Sequence, residues 1–415
     1  MTLSRRELLA GLGGAGLAAA VSRPAWPALD YPSVMTGPLP DKASFSIPAD
    51  LTYLNSAFIH PMPLGASAAA RHYLDQRGLR EPRQSGDAVA EQIKAAFARL
   101  INARPAEIAL VPNTSTGENL VLRGVGLPDH EHNVVTDTLH FEGSMVMLGE
   151  LLNKGLDVRM VAARDWRIHL EDIEHALDRK TRLVMLSLVS WYNGFQHDLK
   201  AVCDLAHRKG AYVYADLVQA AGNTPIDVRA TGLDFGACSS FKWLMGDFGL
   251  GFLYVKEELL DRVIRRTQTG YQQAETAMHY LPEEAPADWP VTWSMRPDGT
   301  GHFEVGSFAQ SAAHCLNFSL PYLESLGVKQ IEAHRQPLLA RLHAEMPRLG
   351  FAPITPADCT SALIAFHRKD AERDYAERLS KANVQVSLAG HRMRVSPSVF
   401  NDMADVERLL DVLKT

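Results

Sequence analysis

Lys242 and Asp216 are the residues in this chain whose types and spacing can do chemistry together. The apolar run 211–215 ends at Asp216, and Gln219 follows three residues later. A second apolar segment, Phe235-Gly236-Ala237-Cys238, leads through Ser239-Ser240-Phe241 to Lys242. An Asp closing one buried strand and a Lys just past the next make the pair that a pyridoxal phosphate (PLP) site needs. The carboxylate keeps the pyridine nitrogen protonated, so the ring withdraws electrons, and the Lys amine forms a Schiff base with the aldehyde. A lone Lys after a strand is ordinarily a solvated surface residue. The Asp-x-x-Gln companion turns the reading toward the cofactor. Thr114, Ser115 and Thr116 stand just before a helical run that begins near Gly117. Hydroxyls and free N–H groups at a helix start form a phosphate cradle, although they also serve as a plain N-cap cluster.

The elements that must hold these residues alternate. Ile108-Ala109-Leu110-Val111, 134–136 and 158–161 read as strands, and 182–189 reads as a long apolar strand buried on both faces. Helical patterns separate them, notably Leu199–Lys209. The alternation predicts an α/β fold with a mainly parallel sheet and ligands beyond the carboxyl ends of its strands. His197 and Asp198 read as the start of a helix. The proline-containing stretch 271–301 breaks the alternation and reads as a long loop. A helical run over 307–349, strands at 362–366 and 393–395, and a last helix at 404–413 predict a smaller α+β domain. The expected division is a leader over 1–22, a linker and N-terminal segment over 23–60, a large PLP-binding domain over 61–305 and a small domain over 306–415.

At 415 residues the chain exceeds one ordinary core. A net charge of −6 gives no reason to expect nucleic-acid binding. Cys203, Cys238, Cys315 and Cys359 lack metal-ligand spacing and read as reduced, mostly buried thiols. No apolar run is long enough for stable membrane insertion. The N-terminus has the order of an export signal. Ser4-Arg5-Arg6 precedes an uncharged, Gly-rich stretch, and Ala20-Val21-Ser22 offers a small-residue cleavage site. Twin arginines before a mildly hydrophobic segment predict the Tat export machinery as a partner and a periplasmic location. Gly11-Leu12-Gly13-Gly14-Ala15-Gly16 fits the G-x-G-x-x-G pattern, but no strand precedes it, so a dinucleotide fold is not expected.

These features together resemble the class V PLP enzymes of the aspartate aminotransferase (type I) fold: cysteine desulfurases, kynureninase, isopenicillin N epimerase and relatives. The resemblance runs from about Tyr53 to the C-terminus. Its carriers are Tyr53-Leu54-Asn55-Ser56-Ala57, Asn113-Thr114-Ser115-Thr116, Asp216-x-x-Gln219, Ser239-x-x-Lys242, Phe303-Glu304-Val305-Gly306-Ser307 and Arg394-Val395-Ser396-Pro397.

The resemblance implies further roles. Ser239 touches the phosphate, and Phe241 stands where the family often has a His. His140 or Phe141 stacks over the ring, and His140 is a catalytic candidate. Trp191 replaces a desulfurase Asn near the ring hydroxyl, so either Asn193 takes over that contact or the contact is absent. Gln219 reaches the same oxygen or the imine. Arg394 grips the substrate α-carboxylate with its guanidinium fork. Ser307 meets the phosphate of a neighbouring subunit, which implies a homodimer, while His302 replaces an Arg usual at that interface. Desulfurases carry a nucleophilic Cys shortly before the carboxylate Arg, and no cysteine lies between Cys359 and Arg394. The expected activity is PLP chemistry at the α- or β-carbon of an amino acid or an amino-acid-derived metabolite, of epimerase, aminotransferase or lyase type. Tailoring of an exported siderophore or peptide is an alternative by analogy, and a non-catalytic PLP-fold binding protein is a third.

Overall fold

Seven strands form the sheet that carries the site: β1 (Ile108–Val111), β2 (Asn133–Asp137), β3 (Asp157–Val161), β4 (Thr181–Ser187), β5 (Tyr212–Asp216), β6 (Phe235–Ser239) and β7 (Gly251–Val255). Their order is β1-β7-β6-β5-β4-β2-β3. Pairings are parallel except those of β7, which runs antiparallel to both β6 and β1. The structure is a computed structural model that describes residues 39–40, 42–78, 86–284 and 288–414. The export leader, its twin arginines and the G-x-G-x-x-G segment lie outside the described residues.

The apolar character of β4 follows from burial on both faces. Leu183 and Met185 pack in one core layer, and Val184 and Leu186 in the other. Side chains alternate across a strand, so a sheet covered on both sides needs apolar residues at every position. The helix Leu199–Lys209 covers one face. Asp198 caps its start by accepting from Ala201 N at 3.0 Å, and Gly210 ends it at φ 82°.

A second, antiparallel sheet has the order Ala352–Pro353, Ile364–His367, Arg392–Val395, Ser387–Ala389. Helices Val328–Glu345, Ala371–Lys381 and Met403–Lys414 pack on it through Leu338, Leu342, Tyr375, Leu409 and Leu410. The early strand Thr52–Tyr53 pairs in parallel with Val384–Gln385, and Asn55 bridges Ser396. The beginning of the described chain is thereby fastened beside its end.

Two expectations change. The helical run over 307–349 is two helices, Gln310–Leu326 and Val328–Glu345, divided at Gly327, whose φ of 77° no continuous helix accommodates. The stretch 271–301 contains a hairpin, Ala274–Met278 paired with Val291–Met295. Its strands are largely exposed, so they lack the in–out hydrophobic alternation that reveals a half-buried strand.

Candidate active site

Every strand of the large sheet except β7 points its carboxyl end the same way, and residues at or just past the ends of β1, β2, β4, β5 and β6 line one cavity. Its lining includes Asn113, Thr114, Ser115, Phe141, Ser187, Trp191, Asp216, Gln219, Ser239, Phe241 and Lys242.

One end of the cavity is a cradle of donors. Asn113 caps the helix Thr114–Gly124 by accepting from Thr116 N at 2.8 Å. The Thr114 and Ser239 hydroxyl oxygens lie 2.8 Å apart, and Ser239 Oγ also accepts from Thr114 N at 3.1 Å. This joins the start of the helix to the end of β6. The helix fits this closely because position 117 is glycine: an added Cβ would stand 3.1 Å from the Ala237 Cβ.

Asp216 lies deeper. Burial raises its pKa to about 6, against the opposing pull of the Val218 N–H and the charges of His140 and Lys242. Val218 N donates to Asp216 Oδ1 at 2.8 Å, which fixes the carboxylate in place. Lys242 follows β6 in a tight turn closed by Met245 N donating to the Lys242 carbonyl at 2.8 Å. Burial lowers its pKa to about 8; the charge of Asp216 works in the opposite direction and that of Arg394 in the same one. The turn packs against Gly222, where φ is 94° and a Cβ would stand 2.4 Å from the Trp243 carbonyl oxygen.

The sequence motifs form one scaffold around these two groups. Trp243 Nε1 donates to Gln219 Oε1 at 2.8 Å, and Gln219 Nε2 donates to the Ala57 carbonyl at 3.0 Å. Ala57 N donates to Ser396 Oγ at 2.9 Å, and Ser396 N to the Leu54 carbonyl at 2.8 Å. Arg394, two residues earlier, is thus tied to the segment that holds Gln219. It donates to the Trp191 carbonyl at 2.6 Å. Burial, then the charge of Arg392, lowers its pKa to about 10.

The Aminotransferase class-V family profile matches residues 68–409. The chain belongs to that family. It is a PLP-dependent enzyme, and the residues that line the cavity just described all fall within the matched span. It is 28% identical over 305 residues to a probable cysteine desulfurase of Methanothermobacter thermautotrophicus, covering 71% of this chain and 72% of the relative. It is 25% identical to an uncharacterized aminotransferase of Bacillus subtilis, covering 76% and 80%. Among solved structures, the Escherichia coli cysteine desulfurase CsdA superposes with a TM-score of 0.77 at 20% identity, over 90% of this chain and 96% of that one. That likeness supports the type I fold.

The donor set fits PLP. Hydroxyls and a helix start face one end, where a phosphate dianion is stabilised. A carboxylate fixed by the Val218 N–H and a primary amine carried on a backbone turn stand farther in. Phe141 and Trp191 supply apolar walls, their rings 6.0 Å apart at 79°.

Within this class V site the sequence-derived residues divide. Lys242, Asp216, Gln219, Ser239, Thr114, Ser115 and Phe141 line one cavity. His140, expected as a catalytic group, is not among the lining residues. Its Nδ1 lies 2.9 Å from Ser187 Oγ and its Nε2 3.1 Å from Glu118 Oε1, so both ring nitrogens are engaged behind the wall. Burial pushes its pKa down, but the hydrogen bond and charge of Glu118, with Asp137 and Asp216, outweigh that and raise it. Asn193, expected at the cofactor, is turned away from the cavity. Its amide donates to the Trp166 and Ile354 carbonyls at 2.8 and 3.0 Å and accepts from Phe195 N at 3.0 Å, which braces a turn. Thr116 directs its hydroxyl to Asn113 Oδ1 at 3.0 Å and so belongs to the cap, not to the cavity wall. Ser307 is exposed, 2.9 Å from the Tyr271 hydroxyl, outside the cavity. Ser187 was missed because an apolar strand gives no signal for a single hydroxyl at its end.

Proposed function

We propose that this class V enzyme acts on the amino group and the α- or β-carbon of an amino acid or amino-acid-derived metabolite, and that it is exported to the periplasm. One observation carries the substrate reading: the guanidinium of Arg394 is buried with its Nε unpartnered, and its Nη1 donates to the carbonyl of Trp191, a residue of the cavity wall. A cation there suits an α-carboxylate, which a guanidinium fork holds through two parallel hydrogen bonds. When bound, PLP supplies an electrophilic aldehyde and a ring that takes up the electron pair of a broken bond at Cα. The other roles belong to this chain. Thr114, Ser115 and Ser239 would hold the phosphate. Asp216 would hold a proton at the ring nitrogen. Arg394 would hold the substrate's α-carboxylate and so orient its Cα. Lys242 would remove or return the Cα proton. Absorbance titration of purified protein with L- and D-amino acids, with product analysis of each responder, tests this reading. A cofactor-loaded protein that answers to none of them refutes it.

The names of the relatives favour a second reading, cysteine desulfuration, which requires a thiolate that receives sulfur. Three of the four thiols are buried, and burial raises the pKa of each: Cys315 to about 11, Cys203 and Cys238 further. Cys359 is partly exposed, but burial raises its pKa too. It lies beside Gln196 and His197 in a separate groove. The segment before Arg394 turns tightly between Ser387–Ala389 and Arg392–Val395, with no cysteine on it. We therefore expect no protein persulfide, and activity of Cys359→Ala within about twofold of wild type, as for substitutions away from a site. Cysteine-dependent sulfide release that disappears in Cys359→Ala returns the protein to the desulfurase reading.

Export rests on the leader. Replacing Arg5 and Arg6 by Lys together is expected to abolish periplasmic accumulation and leave the full-length chain in the cytoplasm. Unchanged fractionation of the double variant argues against the twin-arginine route.

A further inference from the structure

Two arginines stand on the strand Arg392–Val395. Residues two apart on a strand face the same side, with Cα atoms roughly 7 Å apart. Both side chains are buried, 8% exposed at Arg392 and 3% at Arg394. Arg392 Nη1 donates to the Tyr192 carbonyl at 3.3 Å, and Arg394 Nη1 to the Trp191 carbonyl at 2.6 Å. The Nε of each is buried without a hydrogen-bond partner. Among the described residues no carboxylate pairs with either guanidinium. Glu142 acts on Arg392 and Lys242 only through space, from an exposed position.

Neighbouring buried cations without a counter-ion repel each other and lose hydration, an arrangement that is retained where an anion completes it. Arg392 is held in its place. Its guanidinium lies 5.1 Å from the centre of the Trp191 ring and 4.3 Å from that of Tyr192, and Trp191 forms part of the cavity wall. One cation on this strand answers an α-carboxylate. The second, directed to the same side with its Nε–H unsatisfied, is left for a further anionic group of the same molecule. Resting on the reading of Arg394 as the α-carboxylate anchor, we propose that the substrate is a dicarboxylic amino acid of the aspartate or glutamate type, free or as a terminal residue. Arg392 binds its side-chain carboxylate and is the specificity-determining residue.

The test is titration of the holoenzyme with L-aspartate, L-glutamate and their amides, reading the cofactor's absorbance. Each amide keeps the shape of its acid and loses the charge. The acids are expected to half-saturate at concentrations about tenfold lower than the amides, the scale of one charge-assisted contact. Arg392→Gln should erase the preference while the protein still holds cofactor, and Arg392→Lys should restore part of it. Equal responses to acid and amide in wild type overturn the substrate assignment and leave the Arg394 anchor standing. Equal weakening of acids and amides in Arg392→Gln reduces Arg392 to a prop for Trp191. If no amino acid alters the band of cofactor-loaded protein, this inference and the amino-acid reading fall together.

Discussion

Lys242→Ala protein is expected to purify without the absorbance band that borohydride bleaches in the wild type, and to show no turnover. In the proposed mechanism two separate jobs would disappear with one amine: covalent capture of the aldehyde and transfer of the Cα proton. Proton transfer by a positioned group alone contributes about 10²- to 10⁴-fold. The environment explains why this lysine can do both. Burial brings its pKa to about 8, with Asp216 opposing and Arg394 adding to the shift. The neutral amine is the nucleophile, and an ordinary lysine is neutral in roughly one molecule in three hundred at pH 8. Here the two forms are about equal there. Capture of PLP by cofactor-free protein should therefore accelerate with pH through a midpoint near 8. Stopped-flow mixing across pH 6 to 10.5 checks this, and a midpoint near the ordinary lysine value would show that the side chain is not desolvated as described. Pyridoxyl found on a different lysine after borohydride reduction and digestion would refute the assignment itself.

The parts of this site legible in the sequence are those tied to strand ends. Asp216 and Lys242 follow apolar runs whose periodicity marks buried parallel strands, and chain direction alone then puts both at one edge of the sheet. Arg394 was legible only through a family pattern, because a short strand with an arginine has no periodicity of its own. Adjacent residues were not separable. His140 and Phe141 share a loop before the helix Glu142–Asn153; in the fold Phe141 lines the cavity and His140 turns to Ser187 and Glu118. Glu118 lies in a different helix, so no local pattern announces the pairing. The two alternatives for Asn193 were inseparable in the sequence for a related reason. Its amide closes contacts with Trp166 and Ile354, which are remote in sequence. Nothing in the sequence singles out Arg392, whose guanidinium packs against Trp191 and Tyr192 arriving from the end of β4.

Asp216→Asn is expected to lower kcat while making the cofactor-free protein more stable at neutral pH. The stability follows from the sign of the pKa change. Burial raises the Asp216 pKa to about 6, so folding favours the protonated form. The site imposes no charge penalty below pH 4, where the carboxyl is neutral in folded and unfolded chains alike. As pH rises from about 4 to about 6 the unfolded chain ionises first, and stability is lost. Each pH unit in that window is about 1.4 kcal/mol, so the buried carboxylate costs the empty protein about 3 kcal/mol at pH 7. Asparagine keeps the shape and carries no charge, so the variant's advantage should grow from near zero at pH 4 to its full value above pH 6. Parallel denaturant titrations of the two cofactor-free proteins measure that difference. A variant less stable at pH 7.5, or an advantage independent of pH, would mean that the carboxylate is not desolvated. Activity moves the other way. Asparagine cannot hold a proton at the ring nitrogen, so the electron pair released at Cα loses its preorganised partner, a loss of about 10² to 10³ in kcat for a fixed electrostatic group. A stabilised, slow variant would identify Asp216 as a group kept in a destabilising place for its chemistry. Full activity in Asp216→Asn would remove it from the mechanism whatever the stability result.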